Sequence, residues 1–540
     1  MQSSNILAVE LVFLLLLFFV AALGLLARKL QVPYPIVLVI GGALLGLVPG
    51  IPRVTLNPDV VFFVVLPPLL YSAAWVTPWR EFSRNLVSIL FLAVGLVAFT
   101  VIGVAIAAPW FFPGFDWRLG LVLGAVIAPT DAIAATSIAE RIGLPKRIKD
   151  LLEGESLVND ATGLLALEFG IAIVVRGATP TFTEGAFRFL YLIVGGLAVG
   201  LLIGWVADWI ERRVDDAPIE IALSILIPYV AYFTAEHIRA SGVLAVVTCG
   251  LFLSRRSSRF FTPGVRLQIW AVWEALTFIL NGLVFVLIGL QLPNVLEGIR
   301  GYGLANLLWY GLSFAGLVIA LRIFWVFPGT KVALGIRRRF LHQQIPPASV
   351  RNILILGWAG MRGVIALAAA IALPQTLQDG SPFPERNLII FLAFCVILVT
   401  LVLQGLTLPL LVTKCGMAHL NTSNSEESAA RRDMVQAALT YLEQNESRSL
   451  EGFEEVIADL IGHYRQRLAA ATEVLDQRET DHSPHHHARM DHLLRELLRI
   501  ERQTAIQLRD EGKINDEVLR QLEHELDLRE AGPTHVSPAV

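Results

Sequence analysis

Three acidic residues of this 540-residue sequence lie inside long apolar stretches: Asp131, Glu155 and Asp160. A carboxylate is costly inside a membrane and usually occurs there because a charged species binds or passes. Ser156 and Asp160 are four residues apart, so a helix places them on one face and puts Asn159 beside them. Hydroxyl, amide and carboxylate oxygens are hard ligands. The stretch is therefore a candidate site for a small alkali cation.

Asp160 is the candidate carrier of charge in this stretch. Loss of water disfavours the charged form of a carboxylate, so a proton and a cation compete for it near neutral pH. Competition at one site that faces the two sides of a membrane in turn exchanges one ion for the other. Asp131 lies two residues after Pro129, which lacks a backbone donor and leaves carbonyl groups free. We therefore expect Asp131 to help bind the cation beside a broken helix.

The depth of the acids in their apolar stretches separates their roles. At ~1.5 Å per residue, Asp131, Asp160 and Arg362 lie about 14–18 Å deep, near the middle of a ~30 Å core. Glu155 lies only roughly 6 Å deep by the same count. Its better role is as the partner of a buried arginine. Arg322 or Arg362 could be that partner. A purely structural alternative pairs all the acids with these two arginines.

The composition indicates a polytopic membrane protein in a lipid bilayer rather than a soluble enzyme, because 55% of the residues are hydrophobic and 16% are charged. The net charge of −3 points to no particular partner, and we expect no nucleic acid. The three cysteines lie at no metal-ligand spacing. The sequence therefore predicts neither catalytic residues nor a cofactor.

The apolar runs predict about thirteen transmembrane helices, of which the first is a retained span rather than a signal peptide. Their bounds are about 5–27, 33–50, 58–77, 86–108, 119–139, 151–175, 187–209, 218–236, 241–254, 268–291, 304–326, 352–373 and 388–413. Basic residues concentrate in alternate loops, beginning with 28–32. The positive-inside rule then places the N-terminus outside the cell membrane and the C-terminus in the cytoplasm.

Residues 1–414 are thus the predicted transmembrane domain, and residues 415–540 are a predicted cytoplasmic helical tail. Helix-like spacing occurs at 427–445, 450–478 and 488–530. The tract from Asp481 to His487, with His492 nearby, is either a solvated linker or a pH-sensing or metal-binding segment. The linker is the simpler interpretation, because the sequence shows no second cluster of ligands.

The fifth and twelfth spans carry residues that weaken helices. Pro129 lies in the fifth span, and Gly357, Gly360 and Gly363 surround Arg362 in the twelfth. Broken helices at corresponding places in two halves mark the binding site of many secondary transporters. Both spans are next to last in a six-span half if the seventh span is a linker. Their positions therefore predict inverted six-helix repeats, although the sequence shows no clear internal repeat.

Five stretches together resemble a known family. They are Pro-Thr-Asp-Ala-Ile-Ala-Ala at 129–135, Glu-Gly-Glu-Ser-Leu-Val-Asn-Asp at 153–160, Ser-Gly-Val-Leu-Ala-Val at 241–246, Phe-Ile-Leu-Asn-Gly-Leu-Val-Phe at 278–285 and Gly-Met-Arg-Gly-Val at 360–364. In this order they resemble the monovalent cation:proton antiporters, in the branch of Na+/H+ exchangers with an Asn-Asp pair. The resemblance covers most of 1–414 but not the tail.

The resemblance implies that Asp160 carries both Na+ and H+. Thr130, Asp131 and Ser156 would complete the ion site where two broken helices cross. Asn159 would stand where the electrogenic branch has a second aspartate. One titrating acid in the pair implies an electroneutral exchange of one Na+ for one H+. Such exchange would serve sodium transport and pH homeostasis, and Li+ or K+ could replace Na+.

The resemblance further implies a structural ion pair between Glu155 and Arg362. It implies a homodimer in which a core bundle moves against a dimerisation bundle like an elevator. A cation channel or uniporter with the same acidic site is the alternative, although the sequence shows no repeated pore-lining motif. An intramembrane aspartyl enzyme that uses Asp131 and Asp160 is a further alternative, and it would need two close carboxylates that titrate far apart.

Overall fold

A computed structural model describes the membrane-spanning part of the chain and portions of the tail. The described residues are 2–49, 56–112, 114–131, 134–137, 144–176, 181–256, 261, 263–299, 301, 303–343, 349–416, 423–446, 458, 460–469 and scattered residues between 500 and 526.

Helices account for most of the described residues, which confirms the all-α class. In chain order they are α1 (Gln2–Leu30), α2 (Tyr34–Gly46), α3 (Pro58–Val76), α4 (Trp79–Phe111), α5 (Trp117–Ile127), α6 (Lys146–Arg176), α7 (Phe182–Glu211), α8 (Ala217–His237), α9 (Gly242–Arg256), α10 (Pro263–Leu290), α11 (Leu292–Gly298), α12 (Leu304–Arg339), α13 (Val350–Trp358), α14 (Val364–Ile371), α15 (Arg386–Lys414) and α16 (Ser423–Glu446). Three of them contain π-helical segments, at Val61–Val65, Phe91–Leu96 and Thr400–Gln404.

Within the described residues, eight helical stretches are long and apolar enough to cross a membrane. They are α3, α4, α6, α7, α8, α10 with α11, α12 and α15. Shorter or interrupted helices, such as α2, α5, α9 and the pair α13 and α14, overlap the other predicted spans. The multi-pass character is therefore confirmed. The count of thirteen and the inverted repeats stay predictions.

The membrane helices pack in two sets. In one set, α7 packs on α8 and α9, α9 packs on α3, and α10 packs on α1 and α2. In the other set, α4 packs on α5 and α6, and α12 packs on α13 and α15. The second set holds the interrupted helices, together with α6, which carries the Asn-Asp pair.

Side-chain caps determine where several of these helices begin. Asp116 accepts hydrogen bonds from two backbone amides at the start of α5, and Thr181 forms a capping box with Glu184 at the start of α7. Such caps satisfy amides that have no partner within the helix. Because α5 begins at Trp117 and is only 11 residues long, it ends inside the bundle rather than crossing it.

The chain divides into two compact units, Met1–Leu420 and Asn421–Val540. The described part of the second unit contains α16, which covers the predicted helix at 427–445, and an ion pair between Arg465 and Glu443 at 2.9 Å. The histidine-rich tract from Asp481 to His487 and His492 lie outside the described residues.

Candidate ion-binding site

Two helix breaks meet inside the membrane unit. The first follows Ile127, where α5 ends, and the chain is helical again at 134–137. The second lies between Trp358, where α13 ends, and the start of α14 at Val364. The backbone amide of Asp131 in the first break donates to the carbonyl oxygen of Met361 in the second at 2.9 Å. Thr130 and Asp131 are thereby fixed at the contact between two interrupted helices.

Glu155 pairs with Arg322 of α12, and this corrects the expected pairing with Arg362. Arg322 Nη1 donates to Glu155 Oε1, and Nη2 donates to Oε2 at 2.9 Å. Both side chains are only 1% exposed. Two parallel hydrogen bonds are the geometry in which a guanidinium binds a carboxylate most specifically. The pair therefore fixes α6 to α12 and balances the charge of Glu155.

Arg362 instead joins the two breaks. Its Nε donates to the carbonyl oxygen of Ile127 at 2.7 Å, and its Nη1 donates to that of Gly360 at 2.6 Å. The last carbonyl groups of a helix lack partners within it and carry its negative end, so a cation is favourable there. The backbone amide of Arg362 donates to Thr400 Oγ1 at 3.1 Å. Arg362 thus lies close enough to Glu155 to interact with it electrostatically. Its guanidinium group, however, donates hydrogen bonds to backbone carbonyl groups.

Thr400 was not among the predicted site residues. It is fully buried and begins the π-helical segment of α15. A polar side chain in the middle of the apolar run 388–413 is the sequence signal that could have identified it. Such π-helical segments occur frequently at functional sites.

Gly360 and Gly363 leave room for ionisable side chains. A Cβ atom at 363 would overlap the side chain of Asp131, and a Cβ atom at 360 would overlap that of Arg322. The sequence indicated these glycines only as positions that weaken a helix. Their second role, close approach to charged groups, depends on helices that are distant in the chain.

A chain of hydrogen bonds connects the first break to the buried ion pair. Asn159 Nδ2 donates to Thr130 Oγ1 at 2.6 Å, and Thr130 Oγ1 donates to Glu155 Oε1 at 3.1 Å. Asn159 is 1% exposed, and its Oδ1 atom is buried with no hydrogen-bond partner among the described residues. An unsatisfied buried acceptor of this kind requires an explanation, such as an ion or a water molecule that it binds.

Asp160 is 3% exposed and lies one turn beyond Ser156 on α6. Within the described part of the chain, no ion pair or side-chain hydrogen bond to Asp160 is formed. Asp131 is close enough for the two carboxylates to interact electrostatically. Neither arginine pairs with Asp160, since Arg322 binds Glu155 and Arg362 binds carbonyl groups. A proton or a monovalent cation would offset the charge of Asp160.

Comparison with known proteins places the chain among transporters. The family described as "Sodium/hydrogen exchanger, transmembrane" matches residues 14–414. An uncharacterized Na+/H+ exchanger of Mycobacterium tuberculosis is 35% identical over 513 residues, which cover 94% of this chain and 92% of that protein. A sodium, potassium, lithium and rubidium/H+ antiporter of Bacillus subtilis is 34% identical over 448 residues, which cover 81% of this chain and 66% of that protein.

The fold is also similar to a solved structure, that of the sodium proton antiporter MjNhaP1 from Methanocaldococcus jannaschii at pH 8. The TM-score is 0.56 at 18% sequence identity, over 76% of this chain and 99% of that one. This likeness concerns the fold, while the family match and the closer relatives concern the sequence. Together they establish that the chain belongs to the transmembrane sodium/hydrogen exchanger family.

Proposed function

We propose that this protein exchanges Na+ for H+ across the cell membrane and that Asp160 carries both ions in turn. The observation that carries the proposal is the absence of an ion-pair partner for buried Asp160 within the described residues. Its helical neighbour Glu155 is fully paired with Arg322. An acid that binds and releases a transported ion cannot be paired permanently with an arginine. A structural acid, in contrast, is stabilised by such a pair.

We propose that five side-chain oxygen atoms bind the cation. Asp160 and Asp131 supply carboxylates, Ser156 and Thr130 supply hydroxyl oxygens, and Asn159 supplies its buried Oδ1. Hard oxygen ligands suit an alkali cation. Protonation of Asp160 removes the charge that attracts the cation, so one ion leaves when the other binds. With Asn159 in place of a second acid, one Na+ exchanges for one H+ and no net charge moves.

The packing of the helices suggests how the site is exposed to each side in turn. The set with α4, α5, α6, α12, α13, α14 and α15 contains the site, and the set with α7, α9 and α10 packs beside it. We propose that the first set moves against the second, within a homodimer, like an elevator. The charge of the loops supports an external N-terminus and a cytoplasmic tail.

Flux measurements in proteoliposomes test the role of Asp160. The purified protein is reconstituted, a Na+ gradient is imposed, and the internal pH is followed with a fluorescent dye. We expect the Asp160→Asn variant to show no Na+-driven proton flux. The matched control is Glu153→Gln on the same helix, because Glu153 lies two turns earlier and contacts Lys149 at 3.8 Å. Retained exchange in Asp160→Asn would remove this residue from its role.

The same vesicles test the stoichiometry and the choice of cation. The rate of electroneutral exchange does not change when a membrane potential is imposed. Cation flux that is driven by the potential, without proton flux in the opposite direction, would indicate a channel or uniporter. The B. subtilis relative is named for sodium, potassium, lithium and rubidium, so each of these cations is supplied in turn. When Na+, Li+ or K+ is added outside the vesicles, a rise in internal pH shows that this cation enters in exchange for H+.

A further inference from the structure

A second charged site lies near one end of the bundle that holds Asp160, at the end that the loop charges predict to be cytoplasmic. Its innermost member is Arg337 of α12, which is only 2% exposed. Arg337 Nε donates to Gln343 Oε1 at 2.9 Å, and Nη1 donates to Ser88 Oγ at 3.0 Å. Both partners are neutral. Among the described residues, the almost completely buried charge of Arg337 is therefore stabilised by the dipoles of uncharged groups. A buried charge normally has an opposite charge beside it.

Two further arginines lie near Arg337. Arg147 is half-buried in the first turn of α6, and Arg84 is exposed on α4. Each of the three guanidinium groups lies within electrostatic range of the other two. Within the described residues, none of the three forms an ion pair with an acid. These three positive charges, which come from three helices, repel one another. An anion bound between them would attract all three and offset the repulsion.

The acids nearby are engaged with other groups. Asp150 is buried on α6, where Lys146 and Lys149 attract its carboxylate and Glu81 repels it. Within the described residues, neither Asp150 nor Glu81 forms an ion pair with Arg337.

A small cavity of about 50 Å³ adjoins this cluster. Most of its lining residues are apolar, and four helices each contribute one polar side chain. The polar lining residues are Ser88, Arg147, Thr330 and Asn352. Arg147 belongs to the first turn of α6, and Asn352 belongs to the first turn of α13. First-turn residues of two helices thus line the cavity, at the helix ends where the dipole favours an anion.

We propose that this cavity binds a phosphate group, with Arg147 in its lining and Arg337, whose Nη1 atom bonds to the lining residue Ser88, beside it as the second partner. Arginine binds phosphate through two donors in a fixed plane. The phosphate belongs either to the headgroup of an anionic phospholipid or to a free phosphate compound in the cytoplasm. Basic pockets between membrane helices on the cytoplasmic side are known places for lipid headgroups.

The site has a consequence for the rest of the bundle. The cavity is formed by α4, α6, α12 and α13. Helix α6 carries Asp160, α12 carries Arg322, and α13 ends at the second break. A phosphate bound between the ends of these helices would hold together the elements that form the ion site. Binding is therefore expected to stabilise the folded protein, since any ligand that binds only the native state does so.

Thermal unfolding of the full-length protein in a neutral detergent tests the proposal. The midpoint is measured with added phosphatidylglycerol, with added phosphatidylcholine and with inorganic phosphate. We expect a concentration-dependent rise with phosphatidylglycerol or with inorganic phosphate and no rise with phosphatidylcholine. A rise with the lipid alone identifies a headgroup as the ligand, and a rise with inorganic phosphate identifies a free anion.

The variants are Arg337→Gln and Arg147→Gln, with Arg339→Gln as the matched control because Arg339 is exposed on the same helix as Arg337. Each of the first two is expected to weaken the apparent affinity roughly ten-fold or more, since hydrogen bonds to charged groups are the stronger ones. The control keeps the wild-type response. If Arg337→Gln does not fold, the site is still tested by Arg147→Gln, because Arg147 is only half-buried. An equal response in wild type, Arg147→Gln and control, or no response in wild type, would overturn the proposal.

Discussion

Glu155 and Asp160 lie five residues apart on α6, and both are almost completely buried, but their surroundings are opposite. Glu155 accepts hydrogen bonds from Arg322 and from Thr130. Asp160 has no ion pair within the described residues and faces a second carboxylate, that of Asp131. Burial alone therefore does not distinguish a structural acid from the proposed ion carrier. The distinction lies in whether a fixed cation already balances the charge.

The two regions are nevertheless connected. The hydrogen bonds from Asn159 to Thr130 and from Thr130 to Glu155 run from the neighbour of Asp160 to the ion pair. The ion pair thus orients the first break and leaves Asp160 unpaired beside it. A rigid support next to an unbalanced charge is what a site needs if it must bind and release an ion.

Asp160→Asn gives the largest expected effect on activity and the smallest on folding. The substitution removes an unbalanced buried charge while keeping the shape of the side chain. Exchange should fall to the level of empty vesicles, and the unfolding midpoint should stay the same or rise. Flux and thermal unfolding are measured on one preparation. A large loss of stability would show that Asp160, like Glu155, has a structural partner.

Glu155→Gln and Arg322→Met should each destabilise the protein strongly, because each leaves a buried charge without its partner. The expected cost is roughly 3–5 kcal/mol for either single variant. The double variant should cost less than the sum of the two, which a double-mutant cycle in denaturant measures.

The control cycle for this pair combines Glu155→Gln with Arg362→Met. Because Arg362 binds the carbonyl oxygens of Ile127 and Gly360, its coupling energy with Glu155 should be the smaller of the two. A stronger coupling to Arg362 than to Arg322 would restore the pairing that the sequence suggested.

Gly363→Ala tests the position of Asp131 rather than its charge. A Cβ atom at 363 would overlap the Asp131 side chain, so the carboxylate must move. Exchange should fall roughly ten- to hundred-fold, since small displacements of binding groups have effects of this size. The matched control is Gly335→Ala in α12, where a Cβ atom meets no other group within 4 Å. Normal flux in Gly363→Ala would mean that Asp131 does not contribute to the site.

Much of this architecture could be predicted from the sequence, because its determinants are local. Apolar runs fix the multi-pass character, and acids within them mark the site. Pro129 and Gly363 indicate where the helices weaken, and the structure has breaks at both places. These are properties of residues near one another in the chain.

The partner of Glu155 could not be predicted in the same way. Arg322 and Arg362 both lie in apolar spans, and each is distant from Glu155 in the chain. The choice depends on the direction of each side chain, and the break at Ile127 exposes carbonyl groups that attract Arg362. Thr400 was missed for a similar reason, since its role depends on a backbone amide of another helix.

Thr130→Val gives the smallest expected effect and tests the connection between the two regions. The substitution keeps the size of the side chain but removes the hydroxyl that accepts from Asn159 and donates to Glu155. The expected cost in unfolding free energy is about 1–3 kcal/mol, because two buried polar groups lose a partner, and Thr130→Ser should restore it. Thermal unfolding and the Na+ concentration for half-maximal flux are measured together. A raised Na+ requirement at unchanged stability would assign Thr130 to the ion site itself, while lost stability at unchanged Na+ requirement would assign it to the support around Glu155.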